Sequence, residues 1–309
     1  MNSSKLISIV ILCFRNFDGI QETIEKIAKQ TYERIELVIS DDCSANFDVK
    51  TIEEMTKPYS NRFENIVVNK NKTNMGTVKH INSLFEKLHG DIILYQGCDD
   101  VLYDTEVISD VVKYFERTNA DIVTTQRVAI PNDNSEIILP ELLDAEAIQR
   151  GTKYLLHYIV KKGNVVSGCG TFYNRNVFEK YGYFDERCRL VEDYSYYMNF
   201  LQNGGVIHFL PRKTLKYAWG GVSTSRNPLV EADRDIVFQE IIYPNLEQYS
   251  WGDRRILRFR KERILADGKI GIYLMFKYPD VILKQGIQEL VARKQSAQLS
   301  KKMEGNVCK

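Results

Sequence analysis

Gly90-Asp91-Ile92-Ile93-Leu94-Tyr95-Gln96-Gly97-Cys98-Asp99-Asp100 is the stretch on which the fold turns. Its apolar run from Ile92 to Tyr95 is continuous rather than alternating, as in a parallel strand buried on both faces, and it leads straight into an acidic loop. Towards the amino terminus the same pattern recurs. Residues 7–12 form a β-branched run that ends at a polar loop, 15–19. Ile20, Ile24, Ile27 and Ala28 then recur at helical spacing, and residues 35–40 read as a second strand. A strand at 64–69 and a helix at 77–89 complete the approach to the quoted segment. Such alternation predicts an α/β protein with a Rossmann-like, mostly parallel central sheet flanked by helices, and ligands in such sheets bind beyond the carboxyl ends of the strands.

Towards the carboxyl terminus the spacing predicts a helix at 106–118, a strand at 121–127 and a polar turn at 131–134. Helices follow at 142–161, 176–181 and 194–203, the last stopped by Gly204-Gly205. Beyond 230 the chain reads as mainly helical and strongly charged. No internal repeat or low-complexity linker interrupts it.

The 309 residues are 44% hydrophobic and 27% charged, ordinary for a folded protein. The net charge of +1 argues against a nucleic-acid binder, which needs a clear cationic excess to neutralise phosphates. The average hides an asymmetry: after residue 250 there are 14 Lys and Arg against 6 Asp and Glu, so the first 250 residues carry −7 and the tail +8. Six cysteines occur without a CxxC pair, and the apolar start is too short for a signal peptide or membrane span. Reduced thiols and a cytoplasmic location are the expectation.

Three acidic pairs carry the chemistry. Asp99-Asp100, directly after a buried strand, places two carboxylates at the ligand edge of the sheet, where Mg²⁺ or Mn²⁺ held by one or two carboxylates keeps positions for the phosphates of a nucleotide diphosphate. The same pair can simply cap a turn. Asp41-Asp42 follows the second strand; one carboxylate there can accept the N3–H of a pyrimidine while Phe14 covers the base, or the pair can form an Asx-turn. Glu192-Asp193 opens a helix, where carboxylates are favoured by the helix dipole with or without a function.

Together these residues resemble a known family. SIVILCFRN (8–16), ELVISDDCS (36–44), Asn74-Met75-Gly76 with Asn82, and GDIILYQGCDD (90–100) look like the nucleotide-binding half of the inverting glycosyltransferase family 2, which has the GT-A fold. GCGTFYNRNVFEKYGYFDE (168–186), Glu192-Asp193 and Gly204-Gly205 are similar to its acceptor-side signature, so the resemblance spans roughly 6–225. It implies nucleotide contacts at Leu12, Phe14, Asn16, Asp42, Lys79 and Asp99, with Asp42 reading the base and Asp99 on the ribose side. It further implies a metal at Asp100, a general base at Asp193 beside Glu192, and an acceptor or active-site loop at Gly168 and Trp219. Two departures stand out. Gly97 or Cys98 replaces the first aspartate of the longer acidic motif, and the loop 217–225 lacks the histidine that some members give to the metal.

The expectation is a metal-dependent inverting glycosyltransferase that moves a sugar from a nucleotide diphosphate donor, a UDP-sugar, to a hydroxyl of a glycan or lipid-linked acceptor, with Mn²⁺ or Mg²⁺ as cofactor. The alternatives are a non-catalytic nucleotide-sugar or glycan-binding module and a nucleotidyltransferase. The latter would show a glycine-rich basic loop after the first strand, where this chain has Phe14-Arg15-Asn16-Phe17-Asp18-Gly19. A dinucleotide dehydrogenase is excluded because Gly168-Cys169-Gly170 lacks a third glycine. The expected organisation is a nucleotide-sugar half at 1–104, an acceptor half at 105–225 and a helical basic region at 226–309. Within that last region, Arg254, Arg255, Arg258, Arg260, Lys261 and Arg263 interleave with Ile256, Leu257, Phe259 and Ile264. A helix there either packs on the catalytic domain or makes peripheral contact with the inner face of the cell membrane.

Overall fold

The computed structural model describes residues 4–131, 135–218, 227–265, 271–283 and Gly286. Trp219 and the rest of the loop 219–226 lie outside the described residues. The chain divides into two compact units, Met1–Ile242 and Tyr243–Lys309.

Among the described residues of the first unit, nine strands form one sheet. In chain order they are β1 (Ile7–Cys13), β2 (Ile35–Asp41), β3 (Asn65–Lys70), β4 (Ile92–Gly97), β5 (Val101–Leu102), β6 (Ile122–Ile130), β7 (Ile137–Leu139), β8 (Thr171–Asn174) and β9 (Ile207–Ala218). The helices are α1 (Ile20–Ala28), α2 (Val49–Thr56), α3 (Thr77–Leu84), α4 (Val107–Thr118), α5 (Leu142–Gln149), α6 (Thr152–Lys162), α7 (Asn176–Tyr181), α8 (Glu192–Gln202) and α9 (Pro228–Ile236). Strand order is β3-β2-β1-β4-β8-β6-β9-β5, with β7 paired to β6. The first four are mutually parallel, as their continuous apolar sequences require, and β1 and β2 are buried along nearly their whole length. Two units of strand, helix and strand build this half, and α1, α2 and α4 share one apolar core with β1, β2 and β4.

Register places the site. Leu12 pairs with Ser40 on one side and Gly97 on the other, and Cys13 pairs with Asp41, so the loops after β1, β2 and β4 leave the sheet at one edge. Strand β8 runs antiparallel to β4, with Phe172 opposite Leu94, which brings the residues preceding β8 to that same edge.

The expected helix at 142–161 is two helices. Gly151 between them has φ +87°, a left-handed conformation that no helix interior contains. Helix α9 and the single π-helical segment Val237–Ile242 after it belong to the first unit, which therefore extends past residue 225.

Candidate active site

The acidic turn is built on β4 and pinned by α1. Thr23 Oγ1 donates to the carbonyls of Cys98 (2.9 Å) and Asp100 (3.3 Å), and Gln96 Nε2 donates to the Asp100 carbonyl (2.8 Å). The loop after β1 closes on it: the Cys98 thiol donates to the Asn16 carbonyl, and Gly19 lies so near that a β-carbon there would stand 2.8 Å from Asp99 Cα. Gly97 donates its N–H to Asp100 Oδ2 (2.8 Å). A β-carbon on Gly97 would meet Asp99 Oδ1 at 3.0 Å and Asp100 Oδ2 at 3.2 Å, so the two carboxylates converge over the bare glycine. Burial and the neighbouring Asp99 charge push the Asp100 carboxyl up to about 6 against the Gly97 N–H, the Cys169 thiol and the Arg127 guanidinium.

Among the described residues, no three His, Cys, Asp or Glu side chains converge as a closed cage for a metal. The acidic turn instead fits a cation shared with a ligand, since Mg²⁺ and Mn²⁺ are commonly held by one or two carboxylates with phosphates completing the shell.

The two members of the second acidic pair differ in what they hold. Asp41 forms the Asx-turn, accepting from the Ser44 N–H and hydroxyl, both at 2.6 Å. Asp42 is buried, and its carboxylate accepts from Asn71 Nδ2 (3.0 Å), the Met75 N–H (2.9 and 3.1 Å) and the Gly76 N–H (2.8 Å). It therefore clamps the loop that enters α3. Two of these donors are backbone groups, and the third, the Asn71 amide, also accepts from Asn69 Nδ2 (3.1 Å). Phe14 is 43% exposed at the end of β1, with Arg15 over its ring. Asn16 accepts from the Asp18 N–H, and Lys79 is exposed in the first turn of α3.

Glu192 and Asp193 begin α8. Asp193 accepts from the Gly168 N–H (3.1 Å) and the Tyr194 N–H (2.6 Å), and these donors with Arg127 oppose the upward push that burial exerts on its carboxyl. Glu192 sits against Gly168, where a β-carbon would come within 2.7 Å of Oε1. Burial first, then the Asp193 charge, raise its carboxyl to about 8. Both carboxyls are thus pushed towards the protonated form, and the Gly168 and Tyr194 N–H groups favour the charged form at Asp193.

A pocket of about 140 Å³ joins the two acidic regions, with Leu12, Gly97, Asp100, Gly168, Cys169 and Glu192 in its wall and Tyr95, Tyr173 and Phe184 among its aromatic lining. Sequence-predicted residues from four separate segments thus meet there. Asp193 adjoins it through Gly168, while Phe14, Asn16, Asp42, Lys79 and Asp99 lie outside its wall. The buried Tyr95 hydroxyl has no hydrogen-bond partner among the described residues.

Two residues absent from the sequence reading matter here. Arg127, on β6, lies near enough to Asp100 and Asp193 to favour their charged forms. Asp233, buried on α9, accepts from the N–H groups of Arg189 (2.9 Å), Leu190 (2.6 Å) and Val191 (3.0 Å), the three residues before Glu192. Asp233 had no signal in the sequence, because its partners are backbone groups more than forty residues upstream.

The raised Glu192 carboxyl has a consequence for stability. From the ordinary glutamate range near 4.5 up to about 8 the folded chain holds a proton that the unfolded chain has lost, so stability falls as pH rises through that window and levels off above it. Glu192→Gln removes the titration. The variant is expected to match the parent at pH 5 and to melt several degrees higher above pH 8, for a penalty on the order of 2 kcal/mol. Melting curves across that range check this, and a constant difference at every pH would refute it.

Comparison with known proteins places this sheet and its acidic pairs in the class of sugar-transfer enzymes. Residues 8–182 match the model for Glycosyl transferase family 2, and the chain belongs to that family of glycosyltransferases. It is 23% identical over 206 residues to a putative glycosyltransferase, EpsE, of Bacillus subtilis, spanning 66% of this chain and 69% of that one. An uncharacterized glycosyltransferase of Rickettsia typhi is 21% identical over 66% of this chain and 61% of its own. Among solved structures, S. aureus TarS in complex with UDP-GlcNAc superposes with a TM-score of 0.62 at 17% identity, covering 89% of this chain and 79% of that one. A longer TarS chain is matched over 42% of its length. The mannosyltransferase PcManGT of Pyrobaculum calidifontis, with GDP-Man and Mn²⁺, gives 0.55 at 12% identity over 96% and 81%. These likenesses are to the GT-A fold.

Proposed function

We propose that the protein transfers a sugar from a nucleotide diphosphate donor, a UDP-sugar, to a hydroxyl of a glycan or lipid-linked acceptor with inversion, working on the cytoplasmic side of the membrane. The carrying observation is that one pocket is lined by Asp100 together with Gly168 and Glu192. A carboxylate suited to a diphosphate-bound cation and one member of the acidic pair suited to proton transfer thus border the same space. The neighbouring complexes, TarS with UDP-GlcNAc and PcManGT with GDP-Man and Mn²⁺, support a nucleotide-sugar donor and a divalent cation.

In this mechanism Leu12, Phe14, Asn16 and Lys79 border the nucleotide, with Phe14 against the base. Asp42 accepts the base N3–H once the Asn71 amide turns from it to a flanking carbonyl of the base. Asp99 faces the ribose and Asp100 holds Mn²⁺ or Mg²⁺, whose charge offsets that of the departing diphosphate. Asp193 takes the proton of the acceptor hydroxyl as its oxygen bonds to the anomeric carbon and the bond from that carbon to the phosphate oxygen breaks. A single displacement of this kind inverts the centre. Glu192, protonated, and the Tyr95 hydroxyl, without a partner among the described residues, donate hydrogen bonds to the sugar, and the family resemblance assigns Trp219 to the active-site loop. Residues 1–104 are assigned to donor binding and 105–225 to the acceptor and catalysis.

UDP with Mn²⁺ is expected to raise the melting temperature, and a chelator to abolish the rise. Release of UDP from a panel of nucleotide sugars then names the donor. Equal stabilisation by ADP would defeat the assignment of base recognition.

A further inference from the structure

The second unit carries a surface that sugar transfer does not use. Its described helices include α10 (Trp251–Leu265) and α11 (Ile272–Lys277). The sequence reading placed apolar groups beside cations on α10, yet Leu257 and Phe259 are buried, Phe259 in a small core with Leu274, Tyr278 and Val281. Helix α11 is the reverse of an ordinary surface helix. Leu274 alone is buried in it, while Ile272 (74% exposed), Tyr273 (65%), Met275 (53%) and Phe276 (83%) face solvent at spacings of one, three and four residues, which makes one apolar face.

Cations lie next to it. A cavity of about 390 Å³ is lined by the cations Arg254, Arg255, Arg258 and Lys277, by the Glu262 carboxylate, and by Tyr278 and the exposed Trp251. Three of these four cations are already paired, Arg255 with Asp280, Lys277 with Glu262 and Arg254 with Glu247. Arg258 has no ion pair among the described residues, and the buried Arg254 Nε has no hydrogen-bond acceptor. Arg258 is therefore the cation in the cavity that, among the described residues, is left for an anion such as a phosphate group.

We propose that this unit docks on an anionic membrane surface, α11 laying Ile272, Tyr273, Met275 and Phe276 into the interface while the cavity at Arg258 takes a lipid phosphate. An apolar aromatic face beside cations suits a lipid surface, where the rings enter the headgroup region and the cations meet anionic headgroups. The +8 balance of the tail favours that surface over another copy of the chain, which would bring like charges together. No described helix is long and apolar enough to cross a membrane, so attachment of this kind is peripheral.

Flotation of the full chain with vesicles of equal parts phosphatidylcholine and phosphatidylglycerol tests this, with phosphatidylcholine vesicles as the comparison. Binding is expected to the anionic vesicles only and to weaken with salt. Phe276→Ser with Tyr273→Ser should reduce it tenfold or more, and Arg258→Ala roughly fivefold, at unchanged melting temperature and unchanged UDP binding. No flotation, equal binding to neutral vesicles, or binding indifferent to Phe276 would overturn the proposal. So would a dimer that the α11 variants dissolve. A rise in melting temperature with inorganic phosphate that Arg258→Ala abolishes, without vesicle binding, would make the cavity a soluble-anion site instead. UDP binding is read separately, so failure here leaves the catalytic assignment standing.

Discussion

Asp193→Asn is expected to lower sugar transfer by about 10²–10⁴ while nucleotide affinity stays as it was. Asparagine keeps the size of the side chain, and one amide oxygen can still accept from the Gly168 N–H, so the wall of the pocket survives. What is lost is a basic oxygen for the acceptor proton. Asp100→Asn should behave differently: it weakens the cation site and with it donor binding, by about tenfold or more, along with turnover. Titration of UDP in the presence of Mn²⁺ and single-turnover transfer, measured on both variants, separate the two roles. If Asp193→Asn loses UDP as badly as Asp100→Asn, or transfers at a near-normal rate, the base lies elsewhere and Glu192 is next in line.

Asp233→Ala is expected to cost about 2–4 kcal/mol of stability and on the order of 10² in transfer rate, although Asp233 touches neither sugar nor nucleotide in the proposed mechanism. Its carboxylate gathers three successive N–H groups immediately before Glu192, and their loss leaves buried donors unpaired and the start of α8 loose. Its charge also helps to raise the Glu192 carboxyl. A positioning role predicts that kcat falls with UDP affinity little changed, and that the Glu192 titration, followed through the pH dependence of melting in Asp233→Asn, moves down. Loss of stability with kcat preserved would show that Asp233 is only a structural clamp.

The parallel half was legible because burial on both faces forces continuous apolar runs, which is why β1, β2 and β4 stand out and their boundaries come within a few residues. Strand β9 was not legible. It carries Arg212, Lys213 and Lys216, and between Leu210 and Lys213 it skips register against β6 at Pro211 and Arg212, a bulge that accommodates a residue without an N–H. Helix α2 is largely polar with Ile52 and Thr56 buried, and strand β8 follows a glycine-rich loop that masks its pairing. At the site, sequence position marked the acidic pairs but could not divide labour within them. Asp41 rather than Asp42 makes the Asx-turn, and Glu192 rather than Asp193 stands in the pocket wall, because those differences depend on which backbone N–H groups the distant loops bring up.

Gly97 bears on the history of the site. Next to the longer acidic pattern of the family, this chain looks as though it has lost a carboxylate, and the simple repair would be Gly97→Asp. The geometry gives the opposite answer: the first atom of any side chain at 97 would crowd Asp99 Oδ1 and Asp100 Oδ2, and the carboxylate beyond it would add a third negative charge beside two already present. Gly97→Asp would therefore crowd the acidic turn rather than complete it, unless the side chains at 99 and 100 give way.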